Sequence, residues 1–321
     1  MTNLAIAANG LRKSYRGKDG DKVVLDGVDL AVPEGTIFSL LGPNGAGKTT
    51  TVQILSTLIR ADGGEVWVAG YDLNRQADDV RGAIGVTGQY SAVDKLLTGE
   101  ENLLLMADLK HLPKREGRKK ARELLERFDL VDAAGKPAAT YSGGMQRRLD
   151  LAMTLVGDPR LIFLDEPTTG LDPRSRRSMW NIVRDLVAGG VTIFLTTQYL
   201  EEADELADRI ALLDHGRLIA EGTAEELKRL IPGGHIQLTF ADAHQLEAAR
   251  HLVGAGAGAE AAGPEALTLQ VPSDGSVRAV RELLALLDER SIDVAEMSVH
   301  TPDLDDVFLT LTGQQQKEAL R

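Results

Sequence analysis

Eight residues near the start of the chain, Gly42-Pro43-Asn44-Gly45-Ala46-Gly47-Lys48-Thr49, spell G-x-x-x-x-G-K-[ST], the pattern of a phosphate-binding loop. Successive backbone N–H groups in such a loop can wrap β- and γ-phosphate oxygens, helped by the positive end of the helix that follows. Its glycines leave room for that approach and accept positive φ. Lys48 brings a compact charge to the phosphates and Thr49 offers a hydroxyl to Mg²⁺; Thr50, the next residue, is a further nucleotide-binding candidate. Further on, Leu161-Ile162-Phe163-Leu164-Asp165-Glu166 is an apolar strand that ends in two carboxylates. Alone, that pair reads as a strand exit with helix-capping charge. Joined to the loop, Asp165 can hold the same ion, directly or through water. Glu166 then points to the other side, where a carboxylate orients and polarises an attacking water. Between loop and strand stands Tyr141-Ser142-Gly143-Gly144-Met145-Gln146-Arg147-Arg148-Leu149, which read alone is a turn with Ser142 as a helix N-cap.

These residues need elements to hold them. Residues 36–41 form a buried strand running into the loop. Residues 48–59, with Val52, Leu55 and Ile59 at helical spacing, are predicted as the helix after it, stopping at Gly63-Gly64. Upstream, apolar runs at 4–8, 23–25 and 28–32 alternate with glycine turns, the pattern of a small antiparallel sheet. Residues 100–130 read as mostly helical with a break near Pro113, and 143–155 as a further helix. Strands at 161–164 and 192–196 are interleaved with helices at 178–186 and 201–206, which implies an α/β fold with a mostly parallel sheet covered on both faces. Leu230-Ile231-Pro232-Gly233-Gly234 reads as a linker, dividing the chain into domains 1–230 and 231–321. The second, a small α/β domain, has strands at 235–240, 266–271 and 294–300 alternating with helices at 243–253 and 276–290. Residues 254–263 are expected as a loop, and 313–321 as a frayed end.

The chain has 321 residues, 43% apolar and 26% charged, ordinary values for a globular protein. It has no cysteine, which excludes disulfides and thiolate metal sites and suits a reducing cytoplasm. The first fifteen residues lack the features of a signal peptide. No run of about 18 apolar residues is present to span a bilayer, so a transport role requires a separate chain for the pore. Net charge is −12, and residues 231–321 carry 6 Lys plus Arg against 14 Asp plus Glu. Nucleic-acid binding needs a basic face to neutralise phosphates, so nucleic acid is not expected as a partner. The basic cluster Lys110, Lys114, Arg115, Arg118, Lys119, Lys120 and Arg122 reads as a solvated helix face, with contact to anionic lipid headgroups as the alternative.

The order and spacing of the motifs resemble the nucleotide-binding subunits of ATP-binding cassette (ABC) transporters, over about residues 4–223. The resemblance implies a P-loop NTPase fold of the ABC type: a mixed sheet core, an antiparallel β subdomain and a helical subdomain, followed here by the small C-terminal α/β domain. It implies ATP and Mg²⁺ as cofactors. It also implies a homodimer, in which one chain supplies the phosphate loop and the other uses Ser142, Gly143 and Gly144 to cap the γ-phosphate. It sets Tyr15, otherwise a strand aromatic, against adenine. It gives Gln89, in Val86-Thr87-Gly88-Gln89-Tyr90, a reach to Mg²⁺ or the water and a role in sensing the membrane subunit. Gly170-Leu171-Asp172-Pro173 matches the loop by which the two sites of a dimer sense each other. After strand 192–196 most such ATPases carry a histidine, whereas this chain reads Thr196-Thr197-Gln198-Tyr199-Leu200. A neutral amide donates a hydrogen bond to phosphate but moves no proton. Gln198 is therefore expected to sense and position the γ-phosphate, leaving the base chemistry to Glu166.

Thr197-Gln198-Tyr199-Leu200-Glu201-Glu202-Ala203-Asp204, together with Leu304-Asp305-Asp306-Val307-Phe308-Leu309, closely resembles the daunorubicin/doxorubicin-resistance type of drug-exporter ATPase, where glutamine at the switch is normal. Leu304, Val307 and Phe308 also suit the packing face of a short helix, with contact to a partner subunit as the other reading. The resemblance implies an ATP-hydrolysing subunit of a bacterial drug or antibiotic exporter. It would sit peripherally on the cytoplasmic face of the cell membrane, docked on a separately encoded integral membrane permease. The alternatives are an exporter of lipid or polysaccharide and a soluble cassette ATPase acting on ribosomes or DNA. The latter usually has two cassettes or a long coiled-coil insertion plus basic segments, and this chain has one phosphate loop and an acidic appendage. A degenerate regulatory module is opposed by the intact Lys48, Asp165 and Glu166.

Overall fold

The computed structural model describes residues 3–17, 20–88, 91–231, 234–254, 260–261, 267–300 and 302–318. Contacts divide the chain into two compact units, Met1–Ala224 and Glu225–Arg321.

In the first unit, β1 (Leu4–Gly17) and β2 (Gly20–Pro33) form the expected antiparallel pair. β3 (Ile37–Leu41) enters the phosphate loop and α1 (Lys48–Leu55) leaves it. β4 (Gly63–Val68) and β5 (Tyr71–Asp72) join the hairpin in a sheet of order β2-β1-β4-β5. α2 (Ala77–Ala83) and β6 (Ile84–Thr87) lead to three helices, α3 (Gly99–Leu109), α4 (Lys114–Arg127) and α5 (Gly143–Thr154). β7 (Leu161–Asp165), α6 (Pro173–Ala188), β8 (Thr192–Thr197), α7 (Leu200–Leu206), β9 (Arg209–Asp214) and β10 (Arg217–Gly222) complete the unit. The central sheet has order β10-β9-β3-β8-β7-β6. Its strands are parallel except for β10, which makes the sheet mixed.

β3, β7 and β8 are buried along their whole length, as strands covered on both faces must be. Alternate residues feed two cores. Ile37, Ile162, Leu164, Ile193 and Leu195 pack with α3 to α6. Phe38, Leu40, Phe163 and Phe194 pack with α1 and the antiparallel sheet. Phe38 stacks on Phe194 with ring centroids 5.6 Å apart, directly across the β3–β8 register. That register brings Leu41 level with Thr197, and Asp165 level with Thr196. The carboxyl ends of three strands therefore share one edge, where open α/β sheets bind ligands.

Local chemistry moved several expected boundaries. α1 stops at Leu55, not near residue 59, because Thr57 adopts φ 65° and the N–H groups of Thr57 and Leu58 bond to Ile54 O and Gln53 O. That is a Schellman end built without glycine. α6 starts at Pro173, five residues before the expected start, with Asp172 as N-cap and proline at the first helical position. β9 and β10 were not anticipated; they turn at His215-Gly216, φ 44° and 77°, a pair suited to a tight hairpin.

In the second unit, α8 (Ala224–Lys228) spans the division, and the boundary expected after residue 230 lies just beyond it. β11 (His235–Thr239), α9 (Ala243–Gly254), β12 (Glu260–Ala261), β13 (Thr268–Pro272), α10 (Val277–Asp288), β14 (Glu296–His300) and α11 (Leu304–Glu318) follow. The sheet, of order β12-β13-β11-β14, is antiparallel throughout. Ile236 and Leu238 alternate inward against Leu269, Leu283 and Leu287. Two expectations change here: β12 lies within the anticipated loop 254–263, and α11 carries helical backbone through Glu318 in place of a frayed end. Leu304 and Val307 are buried, as the packing-face reading requires.

Candidate functional site

The phosphate loop is held between β3 and α1. Gly47 has φ 114°, and a Cβ there would lie 2.7 Å from Leu25 Cδ2 and 2.9 Å from Val24 O, so only glycine fits the turn. α1 has no side-chain N-cap, which leaves its first N–H groups to an anion. Lys48, only 5% exposed, donates from Nζ to Gly42 O at 2.8 Å and Pro43 O at 3.2 Å. Its Nζ stands 3.7 Å from Glu166 Oε1. Burial pulls the Lys48 pKa down, while the carboxylates of Glu166 and Asp165 push it back up.

Asp165 and Glu166 arrive at this loop from the end of β7. Asp165 Oδ1 accepts from Thr196 Oγ1 at 2.5 Å and from Thr49 Oγ1 at 3.4 Å. A hydroxyl and a carboxylate from segments 116 residues apart thus form a pair of hard oxygen donors. That set suits Mg²⁺, which takes few protein oxygens and completes its shell with phosphate and water. Glu166 has φ 48°, an uncommon conformation for a non-glycine residue. Its N–H donates to Thr196 O at 3.1 Å and Thr196 Oγ1 at 3.2 Å. Thr196, fully buried at the end of β8, therefore fixes both carboxylate residues, a role the sequence reading missed.

Ser142 caps α5 by accepting from Met145 N–H at 3.3 Å. A cavity of about 230 Å³ at this turn is lined by Ser142, Gly144, Met145, Arg148, Arg174 and Ser175 among others, and by none of residues 42–50. A Cβ on Gly144 would lie 2.7 Å from Ser175 Oγ, so glycine lets the turn approach the start of α6. Asp172 spends its carboxylate on that start, accepting from Arg174 N, Ser175 N and Ser175 Oγ. These bonds, led by Ser175, hold its pKa below the usual carboxylate value.

Gln198 follows β8 at the same sheet edge and is half-buried. Tyr15 lies on β1, 41% exposed, with Lys13 Nζ 5.5 Å from its ring centroid. Gln89 lies outside the described residues. Three other buried polar residues connect these parts. Glu202 Oε1 on α7 accepts from Thr168 Oγ1 at 2.8 Å and Trp180 Nε1 at 3.1 Å. Burial pushes the Glu202 pKa up. Arg147 and Asp150 on α5 are 9% and 2% exposed. Charged side chains at i and i+3 among the buried residues Leu149, Leu151 and Ala152 were the sequence signal for that pair.

Comparison with known proteins agrees with this geometry. Residues 25–169 match the ABC transporter family. The daunorubicin resistance ATP-binding protein DrrA2 of Streptomyces coeruleorubidus is 49% identical, covering 98% of this chain and 97% of that protein. The daunorubicin/doxorubicin resistance ATP-binding protein of Streptomyces peucetius is 47% identical over 96% of this chain and 92% of its own. A dimeric ATP-binding cassette solved in a post-hydrolysis state with ADP and Pi superposes with a TM-score of 0.62 at 28% identity, covering 68% of this chain and 98% of that one. The chain belongs to the ABC transporter family, as an ATP-hydrolysing, ATP-binding protein of the daunorubicin/doxorubicin-resistance type.

Proposed function

We propose that this ATPase works as a homodimer that encloses two Mg-ATP and drives drug or antibiotic export through a separate integral membrane permease, on the cytoplasmic face of the membrane. Lys48 and the backbone of residues 42–49 hold the β- and γ-phosphates, with Thr50 beside them and Tyr15 against the base. Thr49 and Asp165 hold Mg²⁺, with Gln89 as a further ligand; the ion supplies charge neutralisation at the phosphates. Glu166 takes the proton of the attacking water, and Gln198 donates to the γ-phosphate. Ser142, Gly143 and Gly144 of the partner chain cap that phosphate, and Asp172 carries the state of one site towards the other.

The observation that supports this reading most is the meeting of Lys48, Thr49, Asp165 and Glu166 within 3.7 Å contacts, while the cavity at Ser142 is lined by other residues. A site assembled from two chains accounts for both. No described helix is long and apolar enough to cross a membrane, so the pore falls to a partner, and the resistance proteins it resembles point to a drug as cargo. The test is efflux of daunorubicin from cells expressing this chain with a candidate permease. Efflux should need ATP and vanish with Glu166→Gln. Absence of ATP-dependent efflux alongside intact ATPase activity would reject the drug reading and leave the enzyme assignment standing.

A further inference from the structure

Glu166 is the proposed base, and the residues on either side of it are gripped by one side chain. Arg147 Nε donates to Pro167 O at 2.9 Å, and its NH2 donates to Asp165 O at 3.2 Å. The same guanidinium donates from NH1 to Gly88 O at 2.9 Å and to Asp150 Oδ2 at 3.2 Å. Asp150 in turn accepts from Ala92 N–H through Oδ1 at 3.0 Å. The pair thus holds both flanks of Glu166 and ties them to Gly88 and Ala92. All of this hangs from the first turns of α5, the helix that Ser142 caps. The next residue, Arg148, ties that turn the other way, donating to Phe128 O at 2.9 Å and to Asp129 Oδ2 at 3.1 Å.

We infer that Arg147 and Asp150 are a positioning pair for hydrolysis: they hold Glu166 in place through its two neighbours and make that placement follow the position of α5. A buried ion pair is costly to desolvate, and apolar residues of similar volume often serve stability as well or better. Burial does pull the Arg147 pKa down and push the Asp150 pKa up, opposed by their mutual attraction and, at Asp150, by the Ala92 N–H. What the pair supplies that an apolar pair does not is direction. A planar fork reaches three carbonyls on two separate segments, which a lysine cannot reproduce. Because α5 begins at the turn proposed to meet the partner's nucleotide, a shift of α5 on closure moves the flanks of Glu166 in the same chain. The inference rests on Glu166 as the base, and the experiment separates the two.

Turnover, ATP KM and ADP affinity are measured for Arg147→Lys, Asp150→Asn and Glu166→Gln, and for Arg147→Lys in the Glu166→Gln background. Misplacing a catalytic group by about 1 Å costs on the order of 100-fold, so Arg147→Lys should lower kcat roughly 10- to 100-fold, with ATP KM and ADP affinity within about twofold of the parent. In the Glu166→Gln background it should cause almost no further loss, because residues acting through one group are non-additive. Asp150→Asn keeps an acceptor for Ala92 but turns an amide towards Arg147, and should repeat the kcat effect; it serves as the test if Arg147→Lys fails to fold. Parental kcat in either folded variant overturns the inference. So does a loss that multiplies with Glu166→Gln, or ADP affinity that falls in step with turnover. Near-parental turnover in Glu166→Gln itself would instead reject the assignment of the base.

Discussion

Replacing Glu166 with Gln keeps the shape of the side chain and removes its charge and its ability to take a proton. The backbone should hold, because its φ of 48° and its bonds to Thr196 do not depend on the carboxylate. The Oε2 that accepts from Thr169 Oγ1 at 3.4 Å has an amide-oxygen equivalent. What is lost is the partner of Lys48 at 3.7 Å. At an effective dielectric of about 20, that pair gains about 4.5 kcal/mol of gross attraction. Desolvation of two buried charges opposes most of it, so the net change in stability should be on the order of 1 kcal/mol. Lys48 then has one competitor fewer for its charge, and ATP affinity should stay level or rise. Turnover behaves differently: a positioned base contributes about 10²–10⁴-fold, equivalent to roughly 2.7–5.5 kcal/mol of barrier. The two effects therefore separate cleanly. Equilibrium ATP binding and phosphate release, measured on one purified preparation, provide the check. A variant that binds ATP normally and turns over within about tenfold of the parent would refute the reasoning, and Glu166 would be a structural neighbour of Lys48 only.

Three further outcomes are expected. Lys48→Ala and Ser142→Arg subunits, each inactive alone, should recover part of the activity when mixed, because some heterodimers hold one undamaged composite site; full activity in a strictly monomeric parent would reject the composite site. Gln198→Ala should weaken ATP-induced dimerisation and turnover with ADP binding unchanged, whereas Gln198→His keeps a donor and should retain part of both; parental behaviour of the alanine variant removes Gln198 from the site. Glu202 binds its proton more tightly in the folded chain, because burial raises its pKa above the ordinary value of 4.5. Its contribution to stability is then most favourable below that value and declines as pH rises through the raised pKa. Urea midpoints between about pH 4 and pH 8 should show that decline, and Glu202→Gln should flatten it; parallel curves for parent and variant would contradict the assignment.

The sequence was most legible where one residue type has one physical use. The glycine-rich loop, the apolar strand ending in Asp165-Glu166 and the cap at Ser142 could be read directly, since each motif carries its own geometry. The strands 161–164 and 192–196 were also legible, because continuous apolar runs of that length are buried on both faces. Boundaries were harder. Thr57 ends α1 in a conformation expected of glycine, and no periodicity announces that. Asp172-Pro173 does announce the start of α6, but its match to a family loop obscured the N-cap signal. The connections between motifs were the least legible. Thr196 read only as part of strand 192–196, and Arg147 only as part of the stretch that follows Ser142. Their work depends on which carbonyls and carboxylates lie across the fold, and that is settled only by the parallel register.

That register has a consequence for how the molecule must be made. β3 lies between β8 and β9, and Ile37 waits for Ile193, 156 residues later. At roughly 5–20 residues per second of synthesis, five residues destined for full burial stay without a sheet neighbour for roughly 8–30 s. Over that interval the nascent chain already contains the phosphate loop and then both carboxylates, yet nothing holds them together. A fragment ending before Thr192 would carry every residue of the G-x-x-x-x-G-K-[ST] and Asp165-Glu166 motifs and still lack the shelf that aligns them. The site is therefore a late product of folding, and β3 is unpaired apolar backbone in the growing chain until β8 and β9 have been made.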